Sequence, residues 1–555
     1  MATKTDDFAP FPVKDQLPGV EFCVSSSPNW PEGIVLGFQH YIVMLGTTVI
    51  IPSILVPLMG GGDVEKAEVI NTVLFVSGIN TLLQSLFGSR LPVVMGASYA
   101  YVIPALYITF SYRFTYYLHP HLRFEETMRA IQGALIIASI IHMITGFFGL
   151  WRILVRFLTP LSAAPLVILT AVGLVALAFP QLARCIEIGL PALIILIILS
   201  QYLPHLFKCK RSICEQFAVL FTIAIVWAYA EILTAAGAYD KRPDSTQLSC
   251  RTDRSGLISA SPWVRIPYPL QWGRPSFHAS DAFAMMAATY VAIVETTGSF
   301  IAASRFGSAT HIPPSVLSRG IGWQGIGVLL GGLFGTATGS TALVENTGLL
   351  GLTKVGSRRV VQIAAGFMIF FSIFGKFGAV LASIPLPIFA ALYCVLFAYV
   401  ASAGLGLLQF CNINSFRTKF ILGFSIFIGL SVAQYFTEYL FISGRGPVHT
   451  RTSAVSVQEK QKPSLSFFLS CPCTDSFWCC QRQFNVIMQV IFSSAATVGV
   501  MAAFLLDCTH SYGHASVRRD SGRHWWEKFR VYHTDTRTEE FYALPYNLNR
   551  FFPSF

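Results

Sequence analysis

The sequence predicts an all-α polytopic membrane protein, and three observations support this fold class. First, 53% of its 555 residues are hydrophobic and only 12% are charged, about half the charge content of soluble domains. Second, apolar segments long enough to cross a bilayer, about 20 residues each, recur along the chain. Third, no polar stretch is left over for a large soluble domain.

About fourteen segments qualify as membrane spans. In chain order they lie near residues 34–58, 67–87, 92–110, 129–150, 159–179, 186–204, 214–236, 281–304, 318–337, 341–353, 360–384, 386–408, 418–441 and 486–506. One long loop divides them into two sets of seven. The predicted regions are therefore 1–33, 34–236, 237–280, 281–506 and the tail 507–555.

The third span of each set is interrupted by glycine, proline or polar residues. In the first set this segment runs from Leu91 to Pro104, and in the second from Gly339 to Thr353. Broken segments at corresponding positions are typical of inverted repeats that each contribute one element to a central site. The sequence therefore predicts two inverted repeats, with segments 3 and 10 meeting at that site.

Basic residues in the short loops indicate the orientation of the spans. Alternate loops, all on one side, contain Arg90, Arg152, Arg156, Lys208, Lys210, Arg211, Arg305, Arg319, Lys354, Arg358, Arg359, Arg417 and Lys419. By the positive-inside rule this side is cytoplasmic, together with both termini, and loop 237–280 is extracellular. The net charge of +11 is spread over many loops, so we expect no nucleic-acid partner.

Four segments carry polar groups at membrane depth, where such groups are costly and usually functional. Their candidate residues are Gln39 and His40, Ser98 to Ala100, Glu295 to Ser299, and the run from Glu345 to Lys354. Because they belong to spans 1, 3, 8 and 10, the repeat symmetry predicts one shared polar pocket.

These residues resemble the nucleobase–ascorbate transporter family, and the chain looks like a plant member. The resemblance covers nearly the whole chain from Trp30 to the tail Gly522–Trp526 and is most specific in the run Glu-Asn-x-Gly-x-x-x-x-Thr-Lys. It implies fourteen segments in two inverted repeats, a core domain and a gate domain, a homodimer and a plasma-membrane location. It also implies a nucleobase substrate.

One region departs from the family pattern. After Thr450, relatives pass by a short link into the last span, whereas this chain has about thirty further residues, at about 451–483. Four cysteines there, Cys471, Cys473, Cys479 and Cys480, lack a convincing zinc spacing, and we expect no metal site. An inserted loop of this kind bears on the packing of the gate domain.

The chemistry of a nucleobase fits the candidate residues. Such a base is flat and edged with N–H donors and C=O acceptors, so its site needs a carboxylate or amide and an aromatic face. Glu295 can accept from ring N–H groups and exchange a proton, although a structural capping role is the alternative. The resemblance gives Glu345 direct contact with the solute. Tyr99 is expected to stack on the base or to be a core aromatic.

Other candidates are expected to act beside the solute. The backbone N–H groups around Tyr99, including those of Ser98 and Ala100, are expected to bind carbonyl edges. Asn346 either contacts the solute or stabilises the broken backbone, and His40 either relays protons or is a hydrogen-bonded strut between helices. A supporting role is expected for Gln39, Thr297, Gly348, Gly351, Thr353 and Lys354.

The sequence thus predicts a proton-coupled symporter for xanthine, uric acid, uracil, adenine or guanine, with no cofactor other than the coupling proton. Sodium-coupled ascorbate transport is the alternative within the same fold. A passive channel fits less well, since the polar residues cluster at one depth. No catalytic motif predicts an enzyme. A non-transporting membrane protein, disabled by the inserted loop, is the remaining alternative.

Overall fold

The computed structural model describes residues 12–114, 116–206, 213–253, 256–443, 446–448, 476–510, 519–529, 536–545, 548–549 and 552. Its longer helices are α1 (Trp30–Met59), α2 (Asp63–Leu86), α3 (Val102–Thr109), α4 (Pro120–Phe147), α6 (Pro160–Val172), α8 (Ile186–Ile197), α11 (Ala218–Ala235), α14 (Ala279–Phe306), α15 (Pro314–Phe334), α16 (Val344–Thr353), α17 (Arg358–Ile373), α18 (Gly375–Ala382), α19 (Leu386–Gly406), α20 (Phe416–Ser443), α21 (Ser476–Phe492) and α22 (Ala495–Thr509). Short helices are α5 (Leu150–Val155), α7 (Phe179–Leu182), α9 (Leu203–Leu206), α10 (Ile213–Gln216), α12 (Asp244–Cys250), α13 (Leu257–Ala260), α23 (Arg523–Glu527) and α24 (Thr536–Tyr542).

The predicted helical membrane architecture is confirmed. Within the described residues, eight helices are long and apolar enough to cross a membrane, or up to ten if each of two bent pairs counts as one span. Proline is in the first turn of α4, α6 and α15. Its fixed φ suits the start of a helix, and the N–H that it lacks would have no partner within the helix there.

The helices pack as two bundles. In the first bundle, α15 packs on α4, α17 on α2, and α1 and α14 join them. In the second, α19 and α22 pack on α6, α20 packs on α22, and α8 connects α19 to α11. Helix α16 lies between the bundles, because it contacts α19 on one side and α14 and α1 on the other.

The two broken segments differ from a purely helical fold. Strand β1 (Met95–Ala97) pairs antiparallel with β2 (Ser340–Ala342), with Gly96 opposite Thr341. Each strand is followed by a short helix, α3 after β1 and α16 after β2. Inside a membrane every backbone polar group needs a partner within the protein. The non-helical residues of one broken segment therefore form backbone hydrogen bonds with the non-helical residues of the other.

Two further predicted spans are bent rather than straight. The prediction for 360–384 is interrupted at Phe374, where α17 and α18 meet at 109°. The prediction for 486–506 is interrupted at Ser493–Ser494, with a bend of 82°. Ser494 caps α22 by accepting a hydrogen bond from the Thr497 N–H at 3.4 Å, since serine competes with the helical backbone and favours caps. Most of the predicted insert at about 451–483 lies outside the described residues.

Loop 237–280 connects the bundles on one face. It contains α12 and α13, and its Cys250 forms a disulfide with Cys185 just before α8. Further along, the Arg265 N–H donates to the Ile373 carbonyl at 2.9 Å. The loop is therefore attached to the second bundle at its start and to the first bundle at its end.

Candidate functional site

The strand pair places two successive polar residues at the junction of the bundles. The Leu343 N–H donates to the Val94 carbonyl at 2.9 Å, which continues the strand pairing up to the first turn of α16. Glu345 and Asn346 follow at once and are both buried. The broken backbone thus brings a carboxylate and an amide to the end of a half-helix inside the protein.

Glu345 is held between the bundles by a hydroxyl from α1. Thr47 donates its hydroxyl to Glu345 Oε1 and lies 3.2 Å from the hydroxyl of Tyr393 on α19. The ring of Tyr99 is partly buried beside them, close enough to Glu345 and Thr47 to interact electrostatically.

Glu295 is the second carboxylate of the site. It lies in the middle of α14 and is partly exposed, and its Oε1 accepts a hydrogen bond from the Ser494 hydroxyl at 3.1 Å. The next residue, Thr296, accepts the Ala342 N–H at 3.4 Å, so this turn of α14 lies against β2. Among the described residues neither Glu295 nor Glu345 forms an ion pair.

Asn346 and His40 contact each other. The Asn346 amide donates to the His40 carbonyl at 2.8 Å and lies 3.2 Å from His40 Nδ1. The amide oxygen of Asn346 is buried without a partner in the described structure. Asn346 therefore joins α16 to α1 through its nitrogen and keeps a buried acceptor for another donor.

Ser98 and Ala100 are placed differently from the prediction. The Ala100 N–H donates to the Ser98 hydroxyl at 3.3 Å, and the Ser98 N–H donates to the Thr338 hydroxyl at 3.4 Å. Thr338 in turn donates to the Ser98 carbonyl at 3.0 Å. Because both N–H groups already have acceptors that close the turn after β1, they are not the free donors that the sequence suggested.

Two other candidates face neighbouring helices. Gln39 donates its amide to the Gln216 carbonyl at 3.1 Å, which joins α1 to α10. Thr297 accepts the Trp151 indole N–H at 3.0 Å and donates to the Ile293 carbonyl at 2.8 Å. Both side chains support the helices around the site without lying in it.

The last part of the polar run has packing and capping contacts. A Cβ on Gly348 would lie 2.1 Å from the Leu396 carbonyl oxygen, and one on Gly351 would lie 2.7 Å from the Phe306 ring. Thr353 donates to the Leu349 carbonyl at 2.8 Å. Lys354 ends α16 in the left-handed conformation and pairs with Glu215 at 2.6 Å.

Sequence reasoning missed Thr47, Tyr393, Ser494 and Thr338. Thr47 lies seven residues after His40, which is two helical turns along the same face, so the helical period offered a signal for it. The pair Ser493–Ser494 in an apolar span was a signal for the break in that span. Tyr393 is one aromatic among many in an apolar helix, and nothing nearby in the sequence distinguishes it.

Carboxylates at membrane depth beside a break between two helical bundles are typical of membrane transport proteins. Comparison with known proteins agrees, because the sequence model of a protein family, described as a permease family, matches residues 31–438. This is a family of transporters rather than enzymes, and the chain is an integral membrane protein.

The chain belongs to the nucleobase–ascorbate transporter family and is similar to its plant members. It is 92% identical to nucleobase-ascorbate transporter 4 of Arabidopsis thaliana, in an alignment of 555 residues that covers 100% of each chain. It is 58% identical to transporter 6 of the same plant, covering 100% of this chain and 98% of that one. It is 56% identical to transporter LPE1 of Zea mays, covering 99% of each.

Among solved structures, the chain is similar to the transmembrane domain of the cyanobacterium bicarbonate transporter BicA. The TM-score is 0.38 and the identity 13%, covering 70% of this chain and 99% of that one. For SLC26A9 the TM-score is 0.43 and the identity is 14%, and the match covers 67% of this chain and 58% of that one.

Proposed function

We propose that this protein is a proton-coupled secondary active transporter of nucleobases, with xanthine, uric acid, uracil, adenine and guanine as candidate substrates. The observation that carries the proposal is the environment of Glu345 and Asn346. Two buried acceptors, the Glu345 carboxylate and the Asn346 amide oxygen, face no cation among the described residues. A buried acceptor is costly without a donor, and the N–H edge of a base supplies such donors.

In the proposed complex the base lies between the two bundles. Glu345 accepts a ring N–H, Asn346 accepts a second one, and the Tyr99 ring covers one face of the base. Tyr393 closes the site from α19, because its hydroxyl already reaches Thr47 beside Glu345. The names of the similar plant proteins, which mention both nucleobases and ascorbate, favour a small solute with donors and acceptors along its edge.

Glu295 is the proposed proton carrier. Its carboxylate is partly exposed and accepts from the neutral hydroxyl of Ser494. A proton can therefore reach and neutralise it without breaking an ion pair to any of the described residues. His40 is bound to Asn346, which favours its role as a strut over a relay. One charge moved across 100 mV supplies about 2.3 kcal/mol, enough for roughly fifty-fold accumulation of a neutral base.

Alternating access follows if the two bundles move relative to each other around α16, as core and gate domains. Fourteen spans in inverted repeats, a homodimer and a plasma-membrane location complete the proposal. The Cys185–Cys250 disulfide supports an extracellular loop 237–280, since disulfides persist in oxidising compartments. Helix α14 runs from that loop to Phe306 at the opposite face. There the N-terminal segment contacts the end of α14, because the Val24 N–H donates to the Gly307 carbonyl. Both termini are then cytoplasmic.

Uptake of radiolabelled xanthine tests the proposal in cells that lack their own base transporters. Uracil, urate and ascorbate are added as competitors, with and without a protonophore and with sodium replaced by choline. We expect uptake that the protonophore abolishes and that sodium removal leaves unchanged. Sodium-dependent ascorbate uptake would replace the proposal with its alternative. Absence of flux for any of these solutes, with the protein at the cell surface, would support a non-transporting role.

A further inference from the structure

We propose that the C-terminal strap, residues 519–529 and 536–544, connects the two bundles on the face of the termini and releases the second bundle at Asn412 in each transport cycle. The proposal rests on the bundle movement of the proposed function. It concerns a segment outside the candidate site. The strap contacts each bundle through its own set of hydrogen bonds, and these two anchors differ in burial.

The first anchor holds the end of the strap against the first bundle. Tyr542 donates its hydroxyl to the Thr310 carbonyl at 2.7 Å, and the Thr538 and Thr310 hydroxyls are 3.1 Å apart. Arg319 of α15 donates to the Tyr542 carbonyl at 3.0 Å, and Arg358 of α17 donates to the Phe541 carbonyl at 2.8 Å. Thr538 and Tyr542 are completely buried.

The same two arginines bind the first bundle itself. Arg319 donates to the Gly88 carbonyl at 2.7 Å, and Arg358 donates to the Arg90 carbonyl at 2.7 Å. Each guanidinium therefore bridges the turn after α2 and the strap. Removing the strap from this anchor would take one carbonyl acceptor from each charged guanidinium, which is costly.

The second anchor holds the start of the strap against the turn between α19 and α20. The Asn412 N–H donates to the Asp520 carbonyl at 3.0 Å, and the Asn412 amide donates to the Asp520 carboxylate at 2.9 Å. Asn412 is exposed and Asp520 is partly exposed. Water can replace both hydrogen bonds at small cost. The next residue, Ser521, is buried, and its carbonyl accepts a weak contact from the Cys411 thiol at 3.7 Å. This anchor therefore has fewer strong hydrogen bonds to lose than the first.

Helix α23 contacts both bundles through two adjacent residues. The Trp525 ring is 6.2 Å from the ring of Phe410, which ends the 3₁₀ turn after α19. The next residue, Trp526, stacks on His311 with the ring centroids 3.6 Å apart. His311 lies in the turn between α14 and α15 of the first bundle. Successive residues of α23 thus contact opposite bundles. If the bundles move apart on this face, one of the two contacts has to break.

The difference in burial decides which contact breaks. The second anchor depends on the exposed Asn412 and the partly exposed Asp520, whereas the first depends on the buried Arg319, Thr538 and Tyr542 and on the partly buried Arg358. The strap therefore stays with the first bundle and separates from Asn412. The strap holds the two bundles together on the face of the termini until the second anchor opens.

Two double-cysteine variants of the full-length protein test this inference by crosslinking. Asn412→Cys with Asp520→Cys locks the second anchor, and Thr310→Cys with Thr538→Cys locks the first anchor as a matched control. Each pair is oxidised, or bridged by a short bis-methanethiosulfonate reagent, and the linked fraction is measured by mass spectrometry. The four single variants, treated in the same way, control for oxidation elsewhere.

We expect that linking positions 412 and 520 lowers xanthine uptake about tenfold or more, in proportion to the linked fraction. A reductant should restore the uptake, and the linked control pair should keep it. Unchanged uptake after nearly complete linkage of the second anchor would overturn the inference. If the reduced variant and the unmodified protein both fail to transport any of the tested solutes, the proposed function fails instead.

Hydrogen exchange on the unmodified protein gives a readout that does not depend on transport. We expect amides in 519–525 to exchange faster than those in 538–542, because the second anchor opens while the first stays closed. Equal protection of the two segments would contradict the inference, whatever the crosslinked variants do.

Discussion

The amide of Asn346 binds His40 through two contacts, at 2.8 Å to the His40 carbonyl oxygen and at 3.2 Å to Nδ1. It therefore fastens the start of α16 to α1 at the level of the candidate site. The remaining amide oxygen is the buried acceptor assigned here to the substrate. One side chain thus joins helix packing to solute recognition.

Asn346→Asp is expected to damage both roles. The second carboxylate oxygen would face the His40 carbonyl in place of a donor, at a cost of about 1–3 kcal/mol. We expect a lower midpoint of thermal unfolding in detergent and loss of xanthine uptake. Thr353→Val serves as the control, because it removes a bond to the Leu349 carbonyl that lies within the same helix. Equal effects of the two substitutions would contradict the role of Asn346.

Thr47→Val is expected to weaken substrate binding. The change removes the hydroxyl that donates to Glu345 while keeping the shape of the side chain. A hydrogen bond to a charged group contributes about 1.5 kcal/mol or more, so the KM for xanthine should rise about tenfold. Thr48→Val is the matched control, because Thr48 is also buried and its hydroxyl donates within the helix, to the Met44 carbonyl at 2.9 Å. A similar KM for the two variants would remove Thr47 from the site.

Glu295→Gln is expected to uncouple transport from the proton gradient. Glutamine keeps the size of the side chain and a hydrogen bond to Ser494 but carries no titrating proton. Xanthine should no longer accumulate above its external concentration, although surface expression is unchanged. The measurement is the accumulation ratio with and without a protonophore. Normal protonophore-sensitive accumulation in this variant would reject the assignment.

Gly348→Ala is expected to disturb the contact between α16 and α19. The added methyl group would lie 2.1 Å from the Leu396 carbonyl oxygen, and overpacking of this kind costs about 1–3 kcal/mol. We expect a lower unfolding temperature and reduced uptake. Gly366→Ala on α17 is the control, because nothing lies within 4 Å of its added methyl. A stability loss of the same size in both variants would exclude a packing role specific to Gly348.

Docking of α23 is expected to weaken in acid. Burial lowers the pKa of His311 to about 3, and the nearby Arg305 guanidinium adds to this effect. An exposed histidine takes up a proton below about pH 6.5, so docking loses about 1.4 kcal/mol per pH unit between 6.5 and 3 and is fully retained above 6.5. Protection of 523–529 from hydrogen exchange, corrected for intrinsic rates, should fall about tenfold from pH 7.5 to 5.5.

His311→Phe provides the control for this pH effect. Phenylalanine keeps an aromatic ring against Trp526 but has no proton to gain, so the protection should no longer depend on pH. The same acid-induced loss in this variant would assign the effect to another group.

The sequence by itself determined the membrane class and the candidate residues. Long apolar spans leave no other fold class open, since each needs a lipid environment. Polar groups at membrane depth are costly and usually functional. This principle identified the candidates Glu345, Asn346, Glu295 and His40. The breaks in segments 3 and 10 were visible as well, because glycine and proline are local signals.

Tertiary structure alone decided which of these residues meet. Thr47 and Glu345 are 298 residues apart in the sequence, and Thr47 and Tyr393 are 346 apart. Gln39 bonds to Gln216, and Lys354 pairs with Glu215, so two residues with an expected supporting role have partners in a segment that the polar pattern did not indicate. Local patterns reveal the face and depth of a residue through helical periodicity. They contain no information about which distant segment supplies its partner, because that depends on how the two bundles pack.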